Sequence, residues 1–226
     1  MSKICACHQP NYLPWLGYFD KMKKSDIFVL FDDVQVPTDK EFVVRNSIKG
    51  PNGIIELIVP IKNKKDKILI KDAFVTGNNW QKKHFKSIVG SYQKAPYFKK
   101  YIRELERFYK INWKRLSDLN SALICILKDF LGIKTKLVFS SDLGLENLQG
   151  EEKILGIIKK LGGDTYISGT GVGSKRYIIP EDFEREGIKL IWQEFQYPVY
   201  PQLWGGEFVP KLSVIDYLFN CGKEYE

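Results

Sequence analysis

The residues best suited to chemistry open the chain: His8, Gln9, Asn11 and Tyr12, with Asp32, Asp33 and Gln35 some 25 residues later. Histidine titrates near neutral pH, so His8 can serve as a general base or as a donor to a phosphate. Gln9, Asn11 and Tyr12 add hydrogen-bonding groups beside it. A histidine at this place can equally be a satisfied core residue. Asp32 and Asp33 could bind a metal or a ribose, or hold His8 in one tautomer. If a strand carries them, alternation sends only one to the site, and Asp32 is the expected one. Arg45-Asn46 ends an apolar stretch. Arginine there suits a bidentate grip on carboxylate or phosphate, with a surface ion pair as the alternative.

Three further stretches offer binding groups. Ser168-Gly169-Thr170-Gly171-Val172-Gly173-Ser174-Lys175 is glycine-rich. Its N–H groups and Lys175 could cradle a phosphate or carboxylate, although the spacing is not that of a Walker A loop. A loop needing glycine only for its turns is the alternative. Trp80 and His84 are four apart and share one helix face, where plain packing competes with ligand binding. The run from Tyr197 to Gly206 places Trp204 in an aromatic, Pro- and Gly-containing loop that could stack on a sugar or base, or be packed and ordered. Cys5-Cys7-His8 is too sparse a metal set: the other histidine, His84, is distant in sequence, and no CxxC pair occurs. No metal site is therefore expected.

The elements that would position these residues follow from hydrophobic pattern. Ile4–Cys7 reads as a buried strand, and Pro10, Asn11, Pro14 and Gly17 punctuate a loop. Leu16, Phe19 and Met22 recur at helical spacing to about Lys24, and Ile27–Phe31 is a second buried strand. This is a βαβ unit, whose ligands bind beyond the carboxyl ends of the strands; His8 and Asp32 would meet there. Phe42–Ile48 reads as a short strand before a turn at 49–53, and Ile54–Ile61 and Ile68–Val75 read as a hairpin. Helices are expected from Trp80 (capped by Asn78-Asn79), from Pro96, and over Trp113–Leu131. The βα rhythm resumes with strands at Thr135–Phe139, Thr165–Ile167 and Ile188–Trp192. Helices are expected at Glu151–Leu161, Pro180–Glu186 and Pro210–Asn220. The expected fold is a single α/β domain over residues 1–226: an open, Rossmann-like, mostly parallel sheet. It carries an antiparallel β insertion at about 42–75 and a helical layer at about 79–131.

Composition agrees with a globular chain. Of 226 residues 44% are hydrophobic, which argues against disorder. Met1-Ser2-Lys3 runs straight into a strand, and no apolar run reaches the roughly 18 residues that span a bilayer. A cytoplasmic protein without a membrane span is expected, and four cysteines fit a reducing compartment. The net charge of +8 is spread as short lysine runs. Solvated faces explain that pattern first, a phosphorylated small molecule next, and nucleic acid is not expected as a partner.

Together, HQPNYLPWLGYFDKM, SDIFVLFDDVQ, Arg45-Asn46, Trp80…His84, YISGTG and the closing LSVIDYLFNCG resemble the WbqC-like family over essentially the whole chain. That family occurs in bacterial O-antigen and other surface-polysaccharide gene clusters. The resemblance implies a role in making or decorating a polysaccharide sugar, with acylation or aminoacylation of an amino sugar on a nucleotide carrier as the reaction. It emphasises His8, Asn11, Tyr12, Pro14, Gly17, Asp32, Arg45, Trp80 and His84. The opening strand–loop–helix–strand also resembles nucleotidylyltransferases and the adenylate-forming ligases that share their fold. Their histidine-x-glycine-histidine signature is absent, since Trp15-Leu16-Gly17-Tyr18 has no flanking histidine.

The expected arrangement makes His8 the base, oriented by Asp32 or Asn11. Gln9, Tyr12, Arg45, Asn46, Trp80, His84, Ser168, Gly169, Thr170, Lys175 and Trp204 bind substrate. The co-substrate would be an activated acyl donor or ATP with Mg, and the partner a nucleotide sugar. An ATP-using ligase and a non-catalytic sugar-nucleotide binder are the two alternatives, and the aromatic tail loop leaves room for a homo-oligomer.

Overall fold

The computed structural model describes residues 2–37, 42–62, 67–77 and 79–223. The Asn78 half of the expected helix cap and residues 63–66 of the expected hairpin loop lie outside them. The chain forms two compact units. The first comprises Met1–Gln9, Gly17–Val34 and Lys134–Gln196; the second comprises Pro10–Leu16, Gln35–Ile133 and Tyr197–Glu226.

The first unit is built on strands β1 (Ile4–His8), β2 (Ile27–Leu30), β5 (Lys136–Phe139), β6 (Thr165–Ser168) and β7 (Lys189–Trp192). All are parallel, in the order β5-β2-β1-β6-β7. Helices α1 (Leu16–Lys23), α5 (Gly150–Lys160), α6 (Val172–Tyr177) and α7 (Pro180–Arg185) accompany them. The central strands β1, β2 and β6 are buried along almost their whole length, with helices against both faces. Cys5, Cys7, Ile27, Val29 and Tyr166 pack with Ile154, Ile157 and Ile158 of α5 and Phe183 of α7. Tyr166 and Phe183 stack at 5.5 Å. The residues between, Ala6 and Phe28, face the other way, and Phe28 meets Tyr18 of α1 at 5.1 Å. Gly163, which leads into β6, has no room for a side chain: a Cβ there would lie 2.7 Å from Cys5 Sγ.

The chain leaves β1 in one direction across β2 to β5, then in the other across β6 to β7. The order reverses between β1 and β6, the position at which open α/β sheets bind ligands. The expected α/β fold with a parallel sheet and a small antiparallel element is present.

The second unit holds β3 (Arg45–Gly50) and β4 (Gly53–Ile58), an antiparallel pair, with α2 (Trp80–Tyr92), α3 (Phe98–Lys110), α4 (Leu116–Phe130) and α8 (Val214–Cys221). Here the expected pairing needs correction. Ile54–Ile58 pairs back onto Arg45–Gly50, not forward onto Ile68–Val75. Pro51-Asn52 forms a two-residue turn closed by Gly53 at φ +114°, and Pro60 lacks the N–H that would extend β4. Residues Ile70–Asp72 instead make a 3-10 turn, and Ile61 and Val75 meet in an isolated bridge. Two helix starts also move. Arg115 is extended and Ser213 caps α8 by accepting from Ile215 N, so neither Trp113 nor Pro210 is helical. Likewise α6 takes the last part of the glycine-rich segment expected to be a loop. Among the described residues no helix is long and apolar enough to cross a membrane.

Candidate active site

The parallel strands of the first unit deliver their chemistry to one edge. His8 closes β1, Asp32 and Asp33 follow β2, Ser140 follows β5, and Ser168 closes β6. His8 is half-buried, with Tyr18 against its ring at 4.8 Å. Its Nδ1 lies 3.1 Å from the Gln9 carbonyl, which can only accept. Nδ1 therefore carries the proton of the neutral ring, and the lone pair sits on Nε2. Burial, followed by the nearby Lys21 ammonium, pulls the imidazole down to about 3, so it is neutral throughout the physiological range. In this tautomer Nε2 is the basic nitrogen of the ring.

At the same sheet edge lies Lys21, which sequence reasoning did not single out. Its side chain is buried, and its Nζ donates to the Cys7 carbonyl at 2.9 Å. Burial lowers its pKa to about 8. In the sequence it sits just before Lys23-Lys24 and reads as part of a solvated charge run. The available signal was its spacing from Tyr18, three residues earlier on the helix, which puts it on the face turned to the sheet.

Asp32 and Asp33 depart from the strand argument. The strand ends at Leu30, and Asp32 N turns back to Leu30 O at 3.0 Å, so alternation no longer governs them and both are buried. Asp32 accepts from Ser141 N at 3.1 Å and Ser141 Oγ at 2.9 Å, tying β2 to the turn after β5. Asp33 pairs with Lys153 of α5 at 2.6 Å and accepts from Ser140 Oγ at 2.5 Å. These bonds make a scaffold beneath the sheet edge. Ser168 donates to the Gly169 carbonyl at 3.2 Å, while Thr170, and Lys175 on α6, are exposed.

In the second unit, Tyr12, Trp80 and His84 come together. Tyr12 Oη lies 2.8 Å from His84 Nδ1 and 2.5 Å from Tyr109 Oη. Trp80 packs on His84 at 5.1 Å and on Tyr12 at 6.4 Å. Burial lowers His84 to about 4, partly offset by its bond to the Ile58 backbone, so this ring is also neutral. The remaining expected residues of this unit have other partners. Asn11 is buried. Asn46 donates to the Leu13 carbonyl at 2.5 Å and holds the loop in which Leu13 takes φ +45°. Arg45 forms an ion pair with Glu56 at 3.0 Å, the surface-pair alternative. Trp204 donates to the Ser91 carbonyl at 2.9 Å from an ordered loop whose Tyr200 bonds Asp216.

Within the first unit, then, His8, Lys21, Ser168 and Gly169 share the edge where β1 and β6 part. Among the described residues no group of three His, Cys, Asp or Glu side chains is placed to hold a metal. Burial pushes the Cys7 thiol up to about 12, which keeps it protonated.

No solved structure matches the chain. The uncharacterized protein Rv1507c of Mycobacterium tuberculosis is 33% identical over 227 aligned positions, which cover 99% of this chain and 96% of that protein. The sequence profile of the WbqC-like protein family matches residues 9–226. On that span and that identity, this α/β protein belongs to the WbqC-like family.

Proposed function

We propose that the protein is a surface-polysaccharide biosynthesis enzyme that transfers an acyl or aminoacyl group to the amine of a nucleotide-linked amino sugar. The reaction is placed in the cytoplasm, at the carboxyl edge of the parallel sheet where β1 and β6 part. The observation that carries this reading is the place of His8: it ends β1 at the carboxyl edge of the parallel sheet, half-buried, with its Nδ1 3.1 Å from the Gln9 carbonyl. The sugar amine would attack the activated acyl carbon as Nε2 takes a proton from the nitrogen. The new C–N bond forms, the bond from carbon to the leaving group breaks, and the imidazolium returns its proton to that group. Asp32 and Asp33 support the sheet edge through their serine and lysine bonds and do not touch substrate.

The ligase or nucleotidylyltransferase alternative has one observation in its favour. Strands met in the spatial order third-second-first-fourth-fifth match five of the six positions in the doubly wound order typical of nucleotide-binding α/β folds. A thermal-shift screen against UDP-, dTDP- and GDP-amino sugars, acyl thioesters and ATP separates the two. A ligand at 100 times its Kd adds about 2.7 kcal/mol of stability, or about 5–10 °C. Protection by an amino-sugar nucleotide and none by ATP is expected. Protection by ATP alone would move the assignment to adenylyl transfer.

A further inference from the structure

Among the described residues three lysines are buried, and they are not alike. Lys153 has the Asp33 carboxylate at 2.6 Å. Lys49 has three oxygen acceptors: the Gly205 carbonyl at 2.6 Å, the Glu207 carbonyl at 3.2 Å and Gln202 Oε1 at 3.4 Å. Lys21, only 3% exposed, donates to the Cys7 carbonyl at 2.9 Å and has the Phe28 ring 5.9 Å from its Nζ; among the described residues no carboxylate is ion-paired with it. An ammonium has three donors, and burying its charge costs several kcal/mol unless an anion compensates. Capping one carbonyl does not require that charge.

The place of Lys21 follows from the strand register. The β1–β2 ladder runs as far as His8 opposite Leu30, whereas the β1–β6 ladder stops at Ala6 opposite Ile167. His8 O accepts from Phe31 N on the β2 side, so alternation turns the Cys7 carbonyl toward β6, past the last β1–β6 pair. Lys21 Nζ meets that carbonyl in the gap where the two strands separate. Across the gap, Gly169 presents bare backbone. A Cβ on it would stand 3.9 Å from Lys21 Nζ and 3.5 Å from Ser174 Oγ. Ammonium, hydroxyl and side-chain-free backbone thus converge at the point where the sheet order reverses. Phosphoryl oxygens suit this set because each accepts several hydrogen bonds and brings the missing negative charge.

We propose that Lys21, with Ser174 and the backbone of Gly169, anchors the phosphoryl oxygens of the substrate's nucleotide diphosphate. This rests on the reading of the first unit's sheet edge as the site for a nucleotide-linked sugar. It assigns to Lys21 the anchoring that the sequence suggested for the exposed Lys175. The anchor also couples to the base. Besides burial, the Lys21 ammonium and the Gln9 carbonyl act on His8, and capture of an anion offsets the first of these two. Nε2 becomes more basic when the diphosphate is bound, so the base is strengthened by the substrate that needs it.

Inorganic pyrophosphate tests the anchor without any turnover. The chain has two histidines, so ¹H–¹³C spectra of labelled protein report His8 and His84 separately. Pyrophosphate should bind saturably and move the His8 signal while leaving His84 in place. Lys21→Gln should weaken that binding at least tenfold, whereas Lys21→Arg, which keeps the charge, should retain most of it. His8→Gln should still bind. Thermal melts of each variant confirm the fold. No saturable binding to the wild type, equal binding by Lys21→Gln, or equal loss in a folded Lys21→Arg would each overturn the proposal. Because transfer plays no part in the readout, a protein that binds pyrophosphate through Lys21 but shows no acyl transfer refutes the transferase reading alone.

Discussion

Replacing Lys153 by methionine removes one half of a buried ion pair and leaves the other half stranded. The Nζ and Oδ2 atoms are 2.6 Å apart, with side chains 5% and 3% exposed, and the second Asp33 oxygen has Ser140 Oγ. After Lys153→Met the carboxylate keeps that one serine and little water, a loss of about 3–5 kcal/mol for a broken buried pair. Asp33→Leu strands the ammonium at similar cost. With both replaced, no charge is left buried, and the double variant should lie within about 1–2 kcal/mol of wild type. At about 2–4 °C per kcal/mol for a chain of this size, each single variant should melt roughly 10 °C lower. Urea unfolding of all four proteins, followed by far-UV circular dichroism, gives the cycle. Single variants that cost under about 1 kcal/mol, or a double variant no better than the sum of the singles, would refute the argument that this pair locks α5 to the end of β2.

Three further outcomes follow from the same geometry. Gly163→Ala drives a methyl to 2.7 Å from Cys5 Sγ and 3.0 Å from Ile158 Cγ2, and should cost about 1–3 kcal/mol in the same urea experiment. Asn120→Ala strips the donor from the carbonyls of Pro10 and Val43, both at 2.8 Å, and should cost roughly 3 kcal/mol; a neutral result would show that the opening loop is held by other means. His84 is lowered from 6.5 to about 4 in the fold, so the unfolded chain binds the extra proton between those values. Stability should therefore be full above pH 6.5 and fall by about 3 kcal/mol as pH drops through 4. His84→Gln should remove that share of the slope, leaving the contribution of His8; an unchanged slope would place His84 in water.

Much of the fold could be read from pattern because the central strands of the first unit are buried on both faces. Runs such as Ile27–Leu30 and Thr165–Ser168 have no other reading once short length and turn residues bound them. His8 was legible for the same reason: a polar residue ending such a run stands at the sheet edge. Pairing partners were not legible. Nothing in Ile54–Ile58 alone tells whether its neighbour precedes or follows, and the decision rests on the two-residue turn and on Pro60. The aspartates were misread because alternation holds only while the strand lasts, and β2 stops two residues short of Asp32. Lys21 and Lys153 were hidden by composition. In a chain with 35 lysines and arginines a buried one looks like its solvated neighbours, and only its packing reveals the difference. Trp80 and His84 were placed correctly on one helix face, but their partner Tyr109 is 25 residues beyond His84 and carries no local signal.

The most direct test of the central claim is transfer itself. Purified protein is incubated with an acyl thioester panel and nucleotide-linked amino sugars, and products are followed by mass spectrometry for wild type and His8→Gln. The account predicts a product heavier by one acyl group, with His8→Gln slower by about 10²–10⁴-fold at unchanged thermal stability. A His8→Gln protein that turns over at the wild-type rate would contradict it, and would leave His8 as a structural residue at the end of β1.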